Sequence, residues 1–145
     1  DDLGFVKPTP IQEEAFPVIV SGKNVVGIAQ TGTGKTLAYM LPILQSMKYT
    51  TDKHPTVLVM VPTRELVQQV VEQIALYSKY VTVRTVGVYG GTNINTQALT
   101  LKDGVDILVA TPGRLYDIVI ARMISLKNVK KLVKIIIYLI LYQIV

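Results

Sequence analysis

Cysteine and tryptophan are absent from the 145 residues, and histidine occurs once, at His54. Without a thiol there is neither a disulfide nor a thiolate metal site, and a single imidazole argues against a histidine-based one. Acidic side chains stop early, since no Asp or Glu follows Asp117. Long apolar runs are missing too. The run Ile135–Tyr142 is eight residues, well under the ~18 needed to span a bilayer, so no membrane association is expected. The opening Asp1-Asp2-Leu3-Gly4 carries no signal-peptide pattern, which makes the cytoplasm, or the nucleus in a eukaryote, the expected location. The formal net charge of +5 is not spread over the chain. Residues 1–117 hold ten basic and ten acidic side chains, and the whole excess comes from Arg122, Lys127, Lys130, Lys131 and Lys134. Global basicity is therefore no argument for nucleic acid here.

The chain has the length of one ordinary domain, and half of its residues are hydrophobic, enough for a full core. Its apolar segments alternate in type. Short aliphatic runs at Val25–Ala29, Val57–Val61, Val83–Val88 and Asp106–Ala110 predict strands, and another starts at Lys131–Ile137. Between them lie predicted helices at Thr36–Met47, where Pro42 should introduce a kink, at Leu66–Tyr77, at Asn93–Leu101, and from Pro112 to about Met123. In Leu66–Tyr77 the apolar residues recur four apart, as on one face of a helix. Strand–helix alternation of this kind predicts an α/β fold with a mainly parallel sheet and helices on both faces. Ligands of such sheets bind at the carboxyl ends of the strands. Each polar or Gly-rich cluster follows a predicted strand: Gln30–Thr36, Pro62–Glu65, Gly90–Gly91 and Thr111–Arg114. They should share one edge.

Ala29-Gln30-Thr31-Gly32-Thr33-Gly34-Lys35-Thr36 fits a P-loop with Ala at the first position. Its glycines allow the tight turn that points backbone N–H groups at phosphate oxygens, and the following helix adds the positive end of its dipole. Lys35 is expected to reach the β- and γ-phosphates of ATP, and the Thr36 hydroxyl to ligate Mg²⁺. The setting between a predicted strand and a predicted helix is the one the motif requires.

In isolation the other clusters also fit plain structural roles. Phe5 to Gln12, with Pro8 and Pro10, reads as an extended lead into a helix. Thr63 and Thr111 read as helix caps, with Glu65 on a helix dipole. Gly90-Gly91 reads as a turn. Together and in this order, however, they resemble the first RecA-like domain of the DEAD-box RNA helicases, from about Leu3 to Val133. Gly4-Phe5 through Pro10 and Gln12 resembles the Q motif, and Gln30 to Thr36 resembles motif I. Pro62-Thr63-Arg64-Glu65-Leu66 resembles motif Ia, Gly90-Gly91 the GG motif, and Thr111-Pro112-Gly113-Arg114 motif Ib. The resemblance implies a P-loop NTPase of RecA-like fold. It also implies that Gln12 reads the adenine edge, while the last three motifs grip the sugar–phosphate backbone of one RNA strand. Arg64 and Arg114 are suited to that as forked donors, giving affinity with little sequence preference.

The family then requires a strand ending in Asp-Glu-Ala-Asp or a close variant, to place Mg²⁺ and activate the attacking water. Here the chain reads Lys130-Lys131-Leu132-Val133 and continues Lys134-Ile135-Ile136-Ile137-Tyr138-Leu139-Ile140-Leu141. Residues 1–133 are thus expected to form an incomplete first RecA-like domain. Residues 134–145 are expected to be an atypical apolar tail outside the family pattern, as a shift of reading frame or a gene-calling error would produce. The family's second RecA-like domain, the expected partner of this one, is not in the sequence. The expected function is that of an ATP-dependent RNA helicase of the DEAD-box type, represented by a portion that binds nucleotide without hydrolysing it. A degenerate nucleotide-dependent RNA-binding module is the alternative. A P-loop enzyme acting on a small molecule is a third reading, against which the resemblance to the Q motif speaks.

Overall fold

The computed structural model describes residues 25–28, 35–48, 50–79, 81–136 and 139–144. Along the chain run β1 (Val25–Ile28), α1 (Lys35–Ser46), β2 (Val57–Met60), α2 (Arg64–Tyr77), β3 (Thr85–Val88), α3 (Ile94–Leu101), β4 (Ile107–Ala110), α4 (Pro112–Ile120), β5 (Lys131–Ile136) and β6 (Leu139–Ile144). The predicted α/β alternation is present, with six strands in the order β1-β6-β5-β2-β4-β3.

Parallel pairing joins β3 to β4, β4 to β2 and β2 to β5. The period-two pattern of these strands sorts their side chains into two cores. Val57, Val59, Ile107, Val109 and Val133 face Met40, Ile43 and Leu44 of α1 and Val67, Val70 and Ile74 of α2. On the opposite face Leu58, Leu108 and Ala110 meet Leu101 of α3 and Leu115 and Ile118 of α4. A strand buried on both faces has no solvent side, which is why β4 carries four aliphatic residues in a row, all buried.

Three local features go beyond the sequence reading. First, α1 continues through Pro42, which is buried within it. Second, α4 stops at Ile120 rather than near Met123. Arg122 turns into the left-handed region at φ 57°. Its N–H donates to Val119 O at 3.0 Å, and the Met123 N–H donates to Ile118 O at 2.9 Å. Those two bonds close a Schellman cap. Third, the tail forms β6, which pairs antiparallel with β5 on one side and with β1 on the other. Among the described residues β1 has no other strand partner.

At the amino ends of β3 and β4, Arg84 and Asp106 tie the sheet together. The Arg84 backbone N–H donates to Asp106 Oδ2 at 2.8 Å, and its side chain donates to Oδ2 from Nε at 3.1 Å and to Oδ1 from Nη2 at 2.8 Å. No helix among the described residues is long and apolar enough to cross a membrane.

Candidate functional site

The register of the sheet fixes where the polar clusters emerge. Met60 lies level with Ala110 and with Lys134, and Ala110 lies level with Val88. On the far side Ile136 pairs with Leu139, and Leu139 with Ile28. With β6 reversed between them, β1 and β5 run in the same direction. The strands β1, β2, β3, β4 and β5 therefore all present their carboxyl ends at one edge, where ligands of such sheets bind.

From Ile28 the chain passes through Gln30, Thr31, Gly32, Thr33 and Gly34, which lie outside the described residues, as do Phe5, Pro10 and Gln12. It returns at Lys35 and Thr36, the first two residues of α1. The backbone thus shows the strand and the helix that a P-loop connects, in the required order.

After β2, Pro62, Thr63, Arg64 and Glu65 are all exposed. Thr63 is the N-cap of α2, its Oγ1 accepting the Leu66 N–H at 3.2 Å. Glu65 stands in the first turn, where a carboxylate complements the helix dipole. Arg64 reaches across to the segment after β3, its guanidinium carbon 5.0 Å from the centre of the Tyr89 ring. There Gly90 and Gly91 are exposed. Gly91 has φ 83°, a conformation that favours glycine, and a Cβ on it would stand 4.0 Å from Arg64 Nη1. Gly90 meets no such requirement, since a Cβ there would touch nothing within 4 Å. The structure therefore brings the clusters at 62–65 and 90–91 together.

After β4, Thr111 is the N-cap residue of α4, but its side chain makes no capping bond. Its N–H instead donates to Val88 O at 3.2 Å, stitching the edge. Pro112 and Gly113 are exposed in the first turn. Arg114, expected from sequence to offer its forked donors to phosphate, is buried and turns them inward. Its Nη1 donates to Gln97 Oε1 at 2.7 Å and its Nη2 to Thr92 O at 2.8 Å. Nε lies 3.6 Å from Asp117 Oδ2, an ion pair without a hydrogen bond.

Gln97, which sequence reasoning passed over, is the hub of this arrangement. Besides accepting from Arg114, its Oε1 accepts the Tyr89 N–H at 3.3 Å. Its Nε2 donates to Tyr89 O at 3.0 Å and to Thr92 Oγ1 at 2.7 Å. A buried amide with both its donors and its acceptor in use rigidifies what it touches. The available signal was a lone Gln four residues before Leu101, on the buried stripe of α3.

The residues present do not fit a complete Mg²⁺ site. Such an ion is held through one or two carboxylates together with substrate phosphates. The strand beside β2 brings Lys134 to the edge, and no Asp or Glu follows Asp117. Among the described residues no group of His, Cys, Asp or Glu could hold a metal.

Comparison with known proteins follows this geometry closely. Residues 9–138 match the DEAD/DEAH box helicase family. The chain is 47% identical over 135 residues to the human protein named "Probable ATP-dependent RNA helicase DDX43", covering 90% of this chain and 21% of that protein. It is 45% identical over 135 residues to the pre-mRNA-processing ATP-dependent RNA helicase prp-5 of Neurospora crassa, covering 90% of this chain and 11% of that one. The crystal structure of the yeast DEAD-box splicing factor Prp28 superposes with a TM-score of 0.84 at 35% identity, over 92% of this chain and 33% of that chain. The chain thus spans 21% of one and 11% of the other of the two helicases compared by sequence.

Proposed function

Because the chain belongs to the DEAD/DEAH box helicase family, we propose that it is the nucleotide-binding, RNA-gripping portion of an ATP-dependent RNA helicase. The observation that carries this reading is the convergence of the P-loop strand and the three post-strand clusters on one edge of the sheet. In it Gln12 recognises adenine, Gln30 to Gly34 wrap the phosphates with Lys35 on the outer ones, and Arg64 with the turns at Gly91 and Gly113 holds one RNA strand by its backbone. Arg114 acts from behind the turn rather than on phosphate directly. Duplex separation belongs to the whole helicase, in which a second RecA-like domain closes on this one. For the chain alone we propose binding without turnover, because no carboxylate follows β5 to orient a water.

The test is titration of this chain with nucleotides and with unrelated single-stranded RNA sequences at several salt concentrations. ATP is expected to bind better than GTP, and Lys35→Ala to weaken ATP more than AMP. Arg64→Ala is expected to weaken all RNA sequences alike and to lower the salt dependence by about 0.7 in log–log slope. Equal affinity for ATP and GTP, or indifference to RNA, would refute the corresponding half. Robust RNA-stimulated phosphate release by this chain, abolished by Lys35→Ala, would refute the absence of turnover.

A further inference from the structure

The proposed RNA edge contains an aromatic residue that the motif pattern does not include. Tyr89 follows β3 directly and is half-buried. Its backbone is clamped from one side by the Gln97 amide, which meets both its N–H and its carbonyl, and Thr92 Oγ1 donates to the same carbonyl at 3.3 Å. Gln97 is held in turn by the buried Arg114. The ring reaches the other way, under the guanidinium of Arg64 at 5.0 Å, and its hydroxyl accepts from Gln68 Nε2 at 3.4 Å. That distance lies within the ~6 Å range of a cation–π contact.

Arg64 is exposed and has no hydrogen bond or ion pair among the described residues. Left alone, so long a side chain would sample many rotamers and lose that freedom on gripping a phosphate. The contact with a ring uses none of its N–H groups, so all five donors stay available. We propose that Tyr89 is a positioning residue for RNA binding, its ring holding Arg64 beside the Gly91 turn while Gln97 and Arg114 fix Tyr89 from behind. A continuous line of contacts thereby links Arg114 after β4 to Arg64 after β2, with Tyr89 after β3 between them. This inference rests on the RNA reading above and adds to it the residue that orients the gripping cation.

A double-mutant cycle combined with side-chain NMR tests it. Tyr89→Leu is expected to weaken single-stranded RNA binding by about two- to fivefold. Tyr89→Phe, which keeps the ring, should restore wild-type affinity, and nucleotide affinity should not move in either. In an Arg64→Ala background Tyr89→Leu should add nothing. Full additivity of the two losses, or a Phe variant as weak as the Leu variant, overturns the proposal. The Arg64 Nε–Hε relaxation gives a readout that needs no RNA. Tyr89→Leu is expected to increase the mobility of that group, and an unchanged signal overturns the proposal as well. If wild-type protein ignores RNA while the Arg64 signal responds to Tyr89→Leu, the RNA reading fails and the positioning contact stands.

Discussion

The two flanks of the sheet are held together by different physics. In the flank β2-β4-β3 every pairing is parallel, and side-chain networks lock the strands at both ends. At the carboxyl ends Arg114, Gln97 and Tyr89 form one network, and at the amino ends Arg84 and Asp106 form another. The flank β5-β6-β1 has a reversed strand at its centre. The strand that leads to the proposed P-loop reaches the rest of the sheet only through β6, among the described residues. Polar networks fix one arrangement because each unmade bond is costly. A ladder held by backbone bonds, with a pattern as irregular as Leu139–Ile144, has its register less strongly specified. The edge proposed to hold RNA is thus built to a single geometry, while the placement of the proposed nucleotide side depends on backbone pairing through the one strand β6.

The largest effect is expected from breaking the weaker flank. Leu141 sits in β6 level with Lys134 of β5 and Val26 of β1, so a proline there removes a ladder bond in an interior strand. Leu141→Pro should lower ATP affinity by about tenfold or more, the result of a misplaced strand before the P-loop. Hydrogen exchange should show lost protection at Val25–Ile28 and Leu139–Ile144, with Val57–Met60 and Ile107–Ala110 still protected. Equal loss across all strands would mean that the flanks unfold as one unit and do not differ in stability.

Asp106→Ala attacks the stronger flank at the end away from the proposed site. Asp106 is buried and takes three hydrogen bonds from Arg84, so its loss leaves a cation without its carboxylate. Removing one partner of a fully buried pair costs about 3–5 kcal/mol. The Arg84 side chain keeps 31% of its surface exposed, so water recovers part of that, and about 2–3 kcal/mol is expected in urea denaturation. RNA affinity measured well below the denaturation midpoint should not change. A loss of RNA binding would place the site at the wrong end of the strands.

The stronger flank was also the more legible one. Two of its strands, β2 and β4, are unbroken aliphatic runs bounded by turn residues, and α2 repeats its apolar residues every three to four positions, so element type and the shared edge follow from period and run length together. The inward turn of Arg114 did not follow, because motif spacing places an arginine on a helix without saying which way it faces. That direction depends on Gln97, seventeen residues earlier, whose bond to it is a tertiary fact. The early end of α4 was hidden because Arg122 occupies a left-handed cap position where glycine is the usual signal. β6 was hidden because Leu139–Ile144 carries too little alternation to give a face, and its reversed direction has no local cause in the residues themselves. The P-loop was legible as a motif, and its glycines lie outside the described residues.

The smallest effect separates two jobs that Thr63 could hold. As the N-cap of α2 it satisfies the Leu66 N–H, a role worth about 1 kcal/mol in stability, lost in Thr63→Ala. As a member of the RNA edge it also sits next to Arg64, and its hydroxyl would lie close to a bound phosphate. Alanine removes both at once and cannot tell them apart. Aspartate can. It caps a helix at least as well as threonine and favours the helix dipole, so Thr63→Asp should match the wild type in thermal unfolding. Yet it places a negative charge beside the cation meant for phosphate. RNA affinity should therefore fall by about three- to tenfold, with the larger loss at low salt, where charge repulsion is least screened. Stability and RNA affinity both unchanged in Thr63→Asp would confine Thr63 to capping and move the RNA strand away from the amino end of α2, toward the Gly91 turn and α4.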